Sequence, residues 1–301
     1  MLKWKAFIKA ARLRTLPLAI VGIFVGNACA YIAGIFDLRI ALLTLSTALL
    51  LQILSNFAND YGDFVKGTDN DNRVGPQRAL QSGAISKSEM QFALILFVIL
   101  TLISGIWLIF LALAAFSTYD FIVFLGLGLL SVFAAITYTI GKKAYGYAGW
   151  GDAMVFLFFG LVSVLGAYYL QTRMIDFAVL LPSVSVGLFS AAVLNMNNTR
   201  DLENDKAMQK NTIPVRFGRK IALFYQMTAI TLGIFSSWVY LEFGLSSPYN
   251  WTYFLVLPVF FISIRKMYAV KEPKGYDTVL KLTVLGTLIY GLVFCFIAFN
   301  Q

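Results

Sequence analysis

Apolar positions in this chain run in long unbroken stretches, with polar residues gathered at their ends. Nine such runs predict membrane-spanning helices at about 15–35, 38–58, 91–115, 119–140, 151–171, 176–197, 219–241, 250–266 and 277–299. Each is close to the roughly 20 residues that cross a bilayer. Pro17, Pro182 and Pro258 are expected to start or kink helices. Small residues such as Gly22, Gly26, Gly126 and Gly128 either let helices pack closely or open room for a substrate. Three connections, Phe36–Arg39, Phe116–Asp120 and Thr172–Asp176, are short. The pieces after the second and sixth runs are long and dense in charge.

Charge orients the bundle. With the N-terminus in the cytoplasm, all of the 24 lysines and arginines except Arg39 and Arg173 fall in cytoplasmic pieces, the bias that fixes topology. The net charge of +9 therefore reads as a topological signal, not as an attraction for nucleic acid. The ends of the second and sixth runs lie four spans apart and face the same side, so any repeat they carry is parallel.

Composition narrows the class. Of the 301 residues 59% are hydrophobic and only 13% charged, with mean hydropathy +0.76. That describes an all-α polytopic membrane protein, and residues 1–301 read as a single transmembrane domain with motif loops at about 59–90 and 198–218. The basic, amphipathic start MLKWKAFIKAARLR does not resemble a cleaved signal peptide. Cys29 and Cys295 lie inside apolar runs without metal-ligand spacing. The chain has no histidine, which excludes His-ligated metals and haem and every Ser-His or Cys-His triad.

Candidate chemistry sits at the ends of those two runs. Residues 55–83, SNFANDYGDFVKGTDNDNRVGPQRALQSG, bring together Asn56, Asn59, Asp60, Asp63 and Asp69, interleaved with Lys66, Arg73 and Arg78. If the helix continues, Asn56, Asp60 and Asp63 share one face. Residues 195–212, NMNNTRDLENDKAMQKNT, place Asn197, Asp201 and Asp205 four apart. Asn56 and Asn197 are 141 positions apart, as are Asp60 and Asp201, which is the mark of an internal repeat. One cluster alone would read as a solvated acidic loop. Two at equivalent helix ends suit Mg²⁺, a hard ion that takes oxygen ligands and usually keeps substrate phosphate among them. Asp60, Asp63, Asp201 and Asp205 are the candidate metal ligands. Arg73, Arg78, Lys142 or Lys143, and Lys210 are candidates for direct diphosphate contact. Diphosphate leaving an allylic carbon would create a delocalised cation, which the face of Tyr138 could stabilise. Asn27, in the first run, either reaches the cavity or makes a polar packing contact between helices. A secondary transporter also uses intramembrane carboxylates, but its sites lie near the bilayer midplane, whereas these lie at one face. A scaffold protein would need no such pairing, and no Asp-Gly-x-x-Ala-Arg run opens a CDP-alcohol phosphotransferase motif.

These motifs resemble the UbiA superfamily of intramembrane aromatic prenyltransferases. The residues that carry the likeness are Asn56-x-x-x-Asp60-x-x-Asp63, Asp69-x-x-x-Arg73, Arg78-Ala-Leu-Gln-Ser-Gly83, Tyr138-Thr-Ile-Gly-Lys142, and Asn197-x-x-x-Asp201-x-x-x-Asp205 followed by Lys210-Asn-Thr212. Within it, SNFANDYGDFVKGTD, YTIGKKAYGYAGWGD, NNTRDLENDKAMQKNT and the start ARLRTLPLA are similar to the 1,4-dihydroxy-2-naphthoate polyprenyltransferases. Common members space the first motif's acids by four. Here Asp60 and Asp63 are three apart, so either Asp63 or Asp69 completes the first metal set. The resemblance implies Mg²⁺-dependent transfer of a polyprenyl group from its diphosphate to 1,4-dihydroxy-2-naphthoate, with loss of carbon dioxide, to give demethylmenaquinone. It implies a site facing the cytoplasm from a bacterial inner membrane. 4-Hydroxybenzoate or homogentisate would use the same diphosphate machinery.

Overall fold

The computed structural model describes residues 3–113, 118–245 and 247–301. Among them are nine helices long and apolar enough to span a membrane: α1 (Lys3–Ile32), α2 (Leu38–Val65), α3 (Lys87–Leu113), α4 (Thr118–Thr137), α5 (Gly151–Thr172), α6 (Phe177–Arg200), α7 (Ile213–Gly244), α8 (Asn250–Ala269) and α9 (Pro273–Phe299). All nine expected spans are present. The expected Phe116–Asp120 loop lies partly outside the described residues.

The ends depart from hydropathy where a polar segment is held by neighbours. The first element starts at Lys3, since Ala6 and Ala10 pack on Phe57, Leu80, Ile85 and Met90 while Trp4 stays exposed. A break follows, with Arg12 in the left-handed region at φ 52, and Pro17 opens the membrane part at a helix start. Asp37 caps α2, accepting from Arg39 N at 2.8 Å. That helix runs about two turns past its apolar stretch, so Asn56, Asp60 and Asp63 are helical. In α7, Gly218 (φ 82) breaks the helix just where the apolar run begins.

Two helices form the hub. In α1 and α6, 61% of the most apolar stretch is buried, against 17% in α3 and α4; the first pair is the most enclosed and the second the most exposed. Gly26 brings α1 against α5, where an added Cβ would lie 2.7 Å from Ala167 Cβ and strike the Val164 carbonyl. Val21, Val25, Phe189, Ile230, Tyr290 and Phe294 fill the core of this half, with Phe189 stacked on Phe260 at 4.8 Å. Gly160 and Gly187 bring α5 onto α6. There Phe156–Val162 widens into a π-helix, a local form often found at functional sites. The ends of α2 and α6 meet: Gly75 N donates to Asp201 Oδ1 at 3.1 Å and Asn204 Nδ2 to the Thr68 carbonyl at 2.9 Å. The two motifs thus lie at one end of the bundle, as a parallel repeat requires.

Candidate active site

Between the hub and the α2–α4 side lies a cavity of about 800 Å³. At one end it is lined by Arg12, Arg14, Asn59, Asp63, Arg73, Arg78, Tyr138, Asn197, Asp201, Asp205 and Lys210. Away from these residues its walls are mostly apolar, with Leu108, Phe124, Leu127, Phe158 and Leu165 among them, and they extend to Tyr119 and Ile175 at the other end of the bundle. Gly105, Gly128 and Gly166 on those walls keep the bore open.

The charged end holds two connected groups. In the first, two arginines thread three carboxylates. Arg78 lies 3.3 Å from Asp60 and 3.8 Å from Asp69, while Arg73 lies 3.3 Å from Asp69 and 3.6 Å from Asp201. Asp60 also pairs with Arg12. Asp69 is the knot of this chain: its side chain is fully buried, and burial lifts its carboxyl to about 6 despite the Arg78 charge. Burial likewise drives Arg78 down to about 9, with the Arg12 charge next. Burial alone would raise the Asp201 carboxyl, but hydrogen bonds from Arg200 Nε (3.1 Å) and Nη2 (2.6 Å) bring it below the ordinary value. Arg200 in turn reaches Asp277 on α9 at 2.6 Å.

The second group centres on Lys210. Asp63 accepts from Tyr147 Oη at 2.7 Å, and Tyr147 shares a 2.6 Å hydrogen bond with Thr68. Lys210 Nζ sits 5.3 Å from the Tyr147 ring. Burial works against the Lys210 ammonium, yet the charges of Asp63 and Asp205 hold it protonated far above its usual range. Burial lifts the Asp205 carboxyl to about 7, the Lys210 charge opposing. Asn59 joins the groups when its amide oxygen faces Arg12 Nη1 (3.1 Å) and its nitrogen Asp63 Oδ2 (2.7 Å). Tyr138 lines the cavity with Tyr145 edge-on at 5.3 Å. Burial raises its phenol to about 12, which leaves a neutral ring.

Asn27, Asn56, Asp60, Asp69, Lys142 and Lys143, all among the expected residues, do not line the cavity. Asn27 donates to the Ile23 carbonyl and accepts from Gln171 Nε2 at 2.7 Å; it is a helix-packing contact between α1 and α5. Lys142 is exposed after the left-handed Gly141, as is Lys143. Asn56 spends its amide on the Ala11 carbonyl (2.9 Å) and Thr15 Oγ1 (3.2 Å), pinning the break in α1. Asp60, 1% exposed, lies behind Arg12 and Arg78. Conversely, Arg12, Arg14 and Arg200, which the sequence presents as topological charge and inside the motif runs but without a role at the site, lie at or beside the charged end. The run ARLRTLP before a helix-starting proline, and an arginine adjoining Asp201, were the available signals.

The donor set suits a hard cation: carboxylates and amides, with no thiolate or imidazole. Among the described residues no three acids converge on one point. Mg²⁺ needs only one or two carboxylates when substrate phosphate supplies the rest. Asp63, Asp201 and Asp205 on the cavity wall meet that requirement, and their present neutralisers are side-chain cations.

Residues 19–285 match the UbiA prenyltransferase family. This chain belongs to that family. The chain is 43% identical over 290 residues to the 1,4-dihydroxy-2-naphthoate octaprenyltransferase of Escherichia coli K12, covering 96% of this chain and 94% of that one. It is 41% identical to the enzyme so named in Haemophilus influenzae, covering 97% and 95%. Among solved structures it is similar to a UbiA homolog from Archaeoglobus fulgidus bound to GPP and Mg²⁺, with TM-score 0.60, 18% identity and coverage of 95% and 99%. It is likewise similar to the apo UbiA homolog of Aeropyrum pernix, with TM-score 0.65, 18% identity and coverage of 94% and 96%. At such identities the structures speak for the fold: this UbiA-family chain is a multi-pass membrane protein with nine spanning helices among its described residues. The naphthoate relatives match along nearly the whole chain, both motifs included.

Proposed function

We propose that this UbiA-family protein transfers a polyprenyl group from polyprenyl diphosphate to 1,4-dihydroxy-2-naphthoate, releasing diphosphate and carbon dioxide and giving demethylmenaquinol, the reduced form of demethylmenaquinone. The observation that carries the reading is the junction of a buried Arg–Lys–Asp cluster with a long apolar cavity, because that pairing fits one ligand with an anionic head and an isoprenoid tail. Identity of 43% to a naphthoate octaprenyltransferase supports the acceptor. The bias of basic residues supports a charged end that faces the cytoplasm, and the bacterial relatives support a bacterial inner membrane.

Arg12, Arg73, Arg78 and Lys210 supply hydrogen bonds to the diphosphate oxygens. Asp63, Asp201 and Asp205 would hold Mg²⁺, which when bound neutralises the phosphate charge and makes diphosphate a better leaving group. Asp60 and Asp69 act behind them, fixing the arginines. The allylic C–O bond breaks, its electron pair leaving with diphosphate, and the neutral Tyr138 ring faces the cation without capturing it. The naphthol carbon bearing the carboxylate donates a ring electron pair to form the new C–C bond. Cleavage of the bond to the carboxylate then returns a pair to the ring and frees carbon dioxide, so no strong general base is needed.

The test is incubation of the purified protein in detergent with a prenyl diphosphate, Mg²⁺ and a panel of aromatic acids, followed by mass analysis. The expected result is a decarboxylated prenyl naphthoquinol, absent with chelator and in Asp201→Ala. Product from 4-hydroxybenzoate alone would overturn the acceptor assignment and keep the reaction class.

A further inference from the structure

Three of the cavity's arginines have carboxylates of their own. Arg12 pairs with Asp60, Arg78 with Asp60 and Asp69, and Arg73 with Asp69 and Asp201. Arg14 differs. It lines the same cavity, is half-buried, and makes no hydrogen bond or ion pair among the described residues. The acidic charge it feels most strongly, Asp277, is committed to Arg200 at 2.6 Å. A half-buried guanidinium without a partner is poorly solvated, and its planar fork is shaped for a carboxylate.

Its surroundings add shape to that charge. One turn along α1, Leu18 joins Val193 of α6, Leu280 of α9 and, at their margin, Phe159 of α5 in a single apolar cluster, and all four line the cavity. One turn beyond Val193, Asn197 also lines it. Its oxygen accepts from Arg200 Nη2 at 2.9 Å, while its NH₂ group makes no hydrogen bond among the described residues. An apolar wall with a free cation and a free amide donor both at its charged end matches a flat aromatic ring that bears a carboxylate and a neighbouring hydroxyl.

We infer that Arg14 binds the carboxylate of the aromatic acceptor, with the ring against Leu18, Val193, Leu280 and Phe159 and a hydroxyl toward Asn197. This rests on the prenyl-transfer reading above and makes Arg14 a specificity-determining residue. The carboxylate leaves as neutral carbon dioxide, so the contact is strongest before reaction. Its loss therefore falls on acceptor KM more than on kcat.

The test compares wild type, Arg14→Gln and Arg14→Lys in detergent, with prenyl diphosphate and Mg²⁺. Arg14→Gln is expected to raise acceptor KM by about 10- to 100-fold, the range of a charge-assisted pair, with donor KM changed by less than about twofold. Titration without the donor gives the second readout. Wild type should bind 1,4-dihydroxy-2-naphthoate more tightly than 1,4-naphthalenediol, which lacks the carboxylate, and Arg14→Gln should bind the two alike. A rise in donor KM with acceptor KM unchanged would assign Arg14 to the diphosphate and overturn the inference. If Arg14→Gln does not purify, Arg14→Lys decides, since loss of the fork must still raise acceptor KM selectively. A wild-type protein that prenylates no aromatic acid would sink the parent reading instead, before any variant is compared.

Discussion

Removing the guanidinium of Arg200 should uncouple the second motif from the bundle. Its side chain is wholly buried and makes four charge-assisted hydrogen bonds: two to Asp201, one to Asp277 at 2.6 Å and one to Asn197 at 2.9 Å. Arg200→Met keeps similar bulk but strands the Asp201 carboxylate, which is 4% exposed and retains only Arg73 at 3.6 Å as an ion partner. Breaking one side of a buried pair costs about 3–5 kcal/mol. Near 2 °C per kcal/mol for a chain of this size, the thermal midpoint should fall by about 6–10 °C. Asp277→Asn should cost far less, since its side chain is a quarter exposed and the amide oxygen still accepts. Thermal unfolding in detergent reads the first effect and prenyl transfer the second, with kcat/KM expected to drop at least about 100-fold as Asp201 loses its clamp. An Arg200→Met protein within about 2 °C of wild type would refute the claim that this guanidinium holds the motif together.

Chelation should abolish transfer and added Mg²⁺ restore it, and Asp63→Asn should shift the Mg²⁺ requirement upward without changing the order of acceptor preference; an unmoved titration would remove Asp63 from the metal set. Burial lifts Asp205 from 3.8 to about 7, so between those values the folded chain keeps a proton that the unfolded chain has lost, and stability falls as pH rises. Metal-free Asp205→Asn should therefore gain on wild type in thermal midpoint as pH rises from about 4 to about 7, while losing activity; a constant difference across that range would exclude the effect. Gly26→Ala should push α1 off α5 at Val164 and Ala167 and cost about 1–3 kcal/mol, checked by the same unfolding assay.

The elements were legible because each span is one long apolar run, and the motifs because they recur at the same register, 141 residues apart. The helical phase of Asn56, Asp60 and Asp63 could be read only on the condition that α2 continued, which its packing against Ala6, Ala10 and the 79–90 segment secures. Asn27 shows the opposite case. A polar residue inside a span satisfies itself equally well against a cavity or a neighbouring helix, and its partner Gln171 lies 144 positions away. Lys142 lies exposed off the cavity wall, and basic residues crowd that face for topological reasons whether or not they touch a ligand.

What the sequence hides is the wiring between charges. Arg12 meets Asp60 across 48 positions and Gly75 meets Asp201 across 126, pairings that no local pattern specifies. They also recast the choice left open for the first metal set. Asp69 has both oxygens buried without a hydrogen bond and two arginines against it, while Asp63 opens onto the cavity. A cation arriving with a diphosphate would reach Asp63 directly, whereas reaching Asp69 requires Arg73 and Arg78 to swing away. The arrangement therefore favours Asp63 as ligand and Asp69 as the anchor that keeps two arginines aimed at the phosphate. Asp69→Asn should then raise the donor KM and leave the Mg²⁺ titration nearly unchanged, the reverse of Asp63→Asn; matching shifts in the two variants would show that both carboxylates bind the metal.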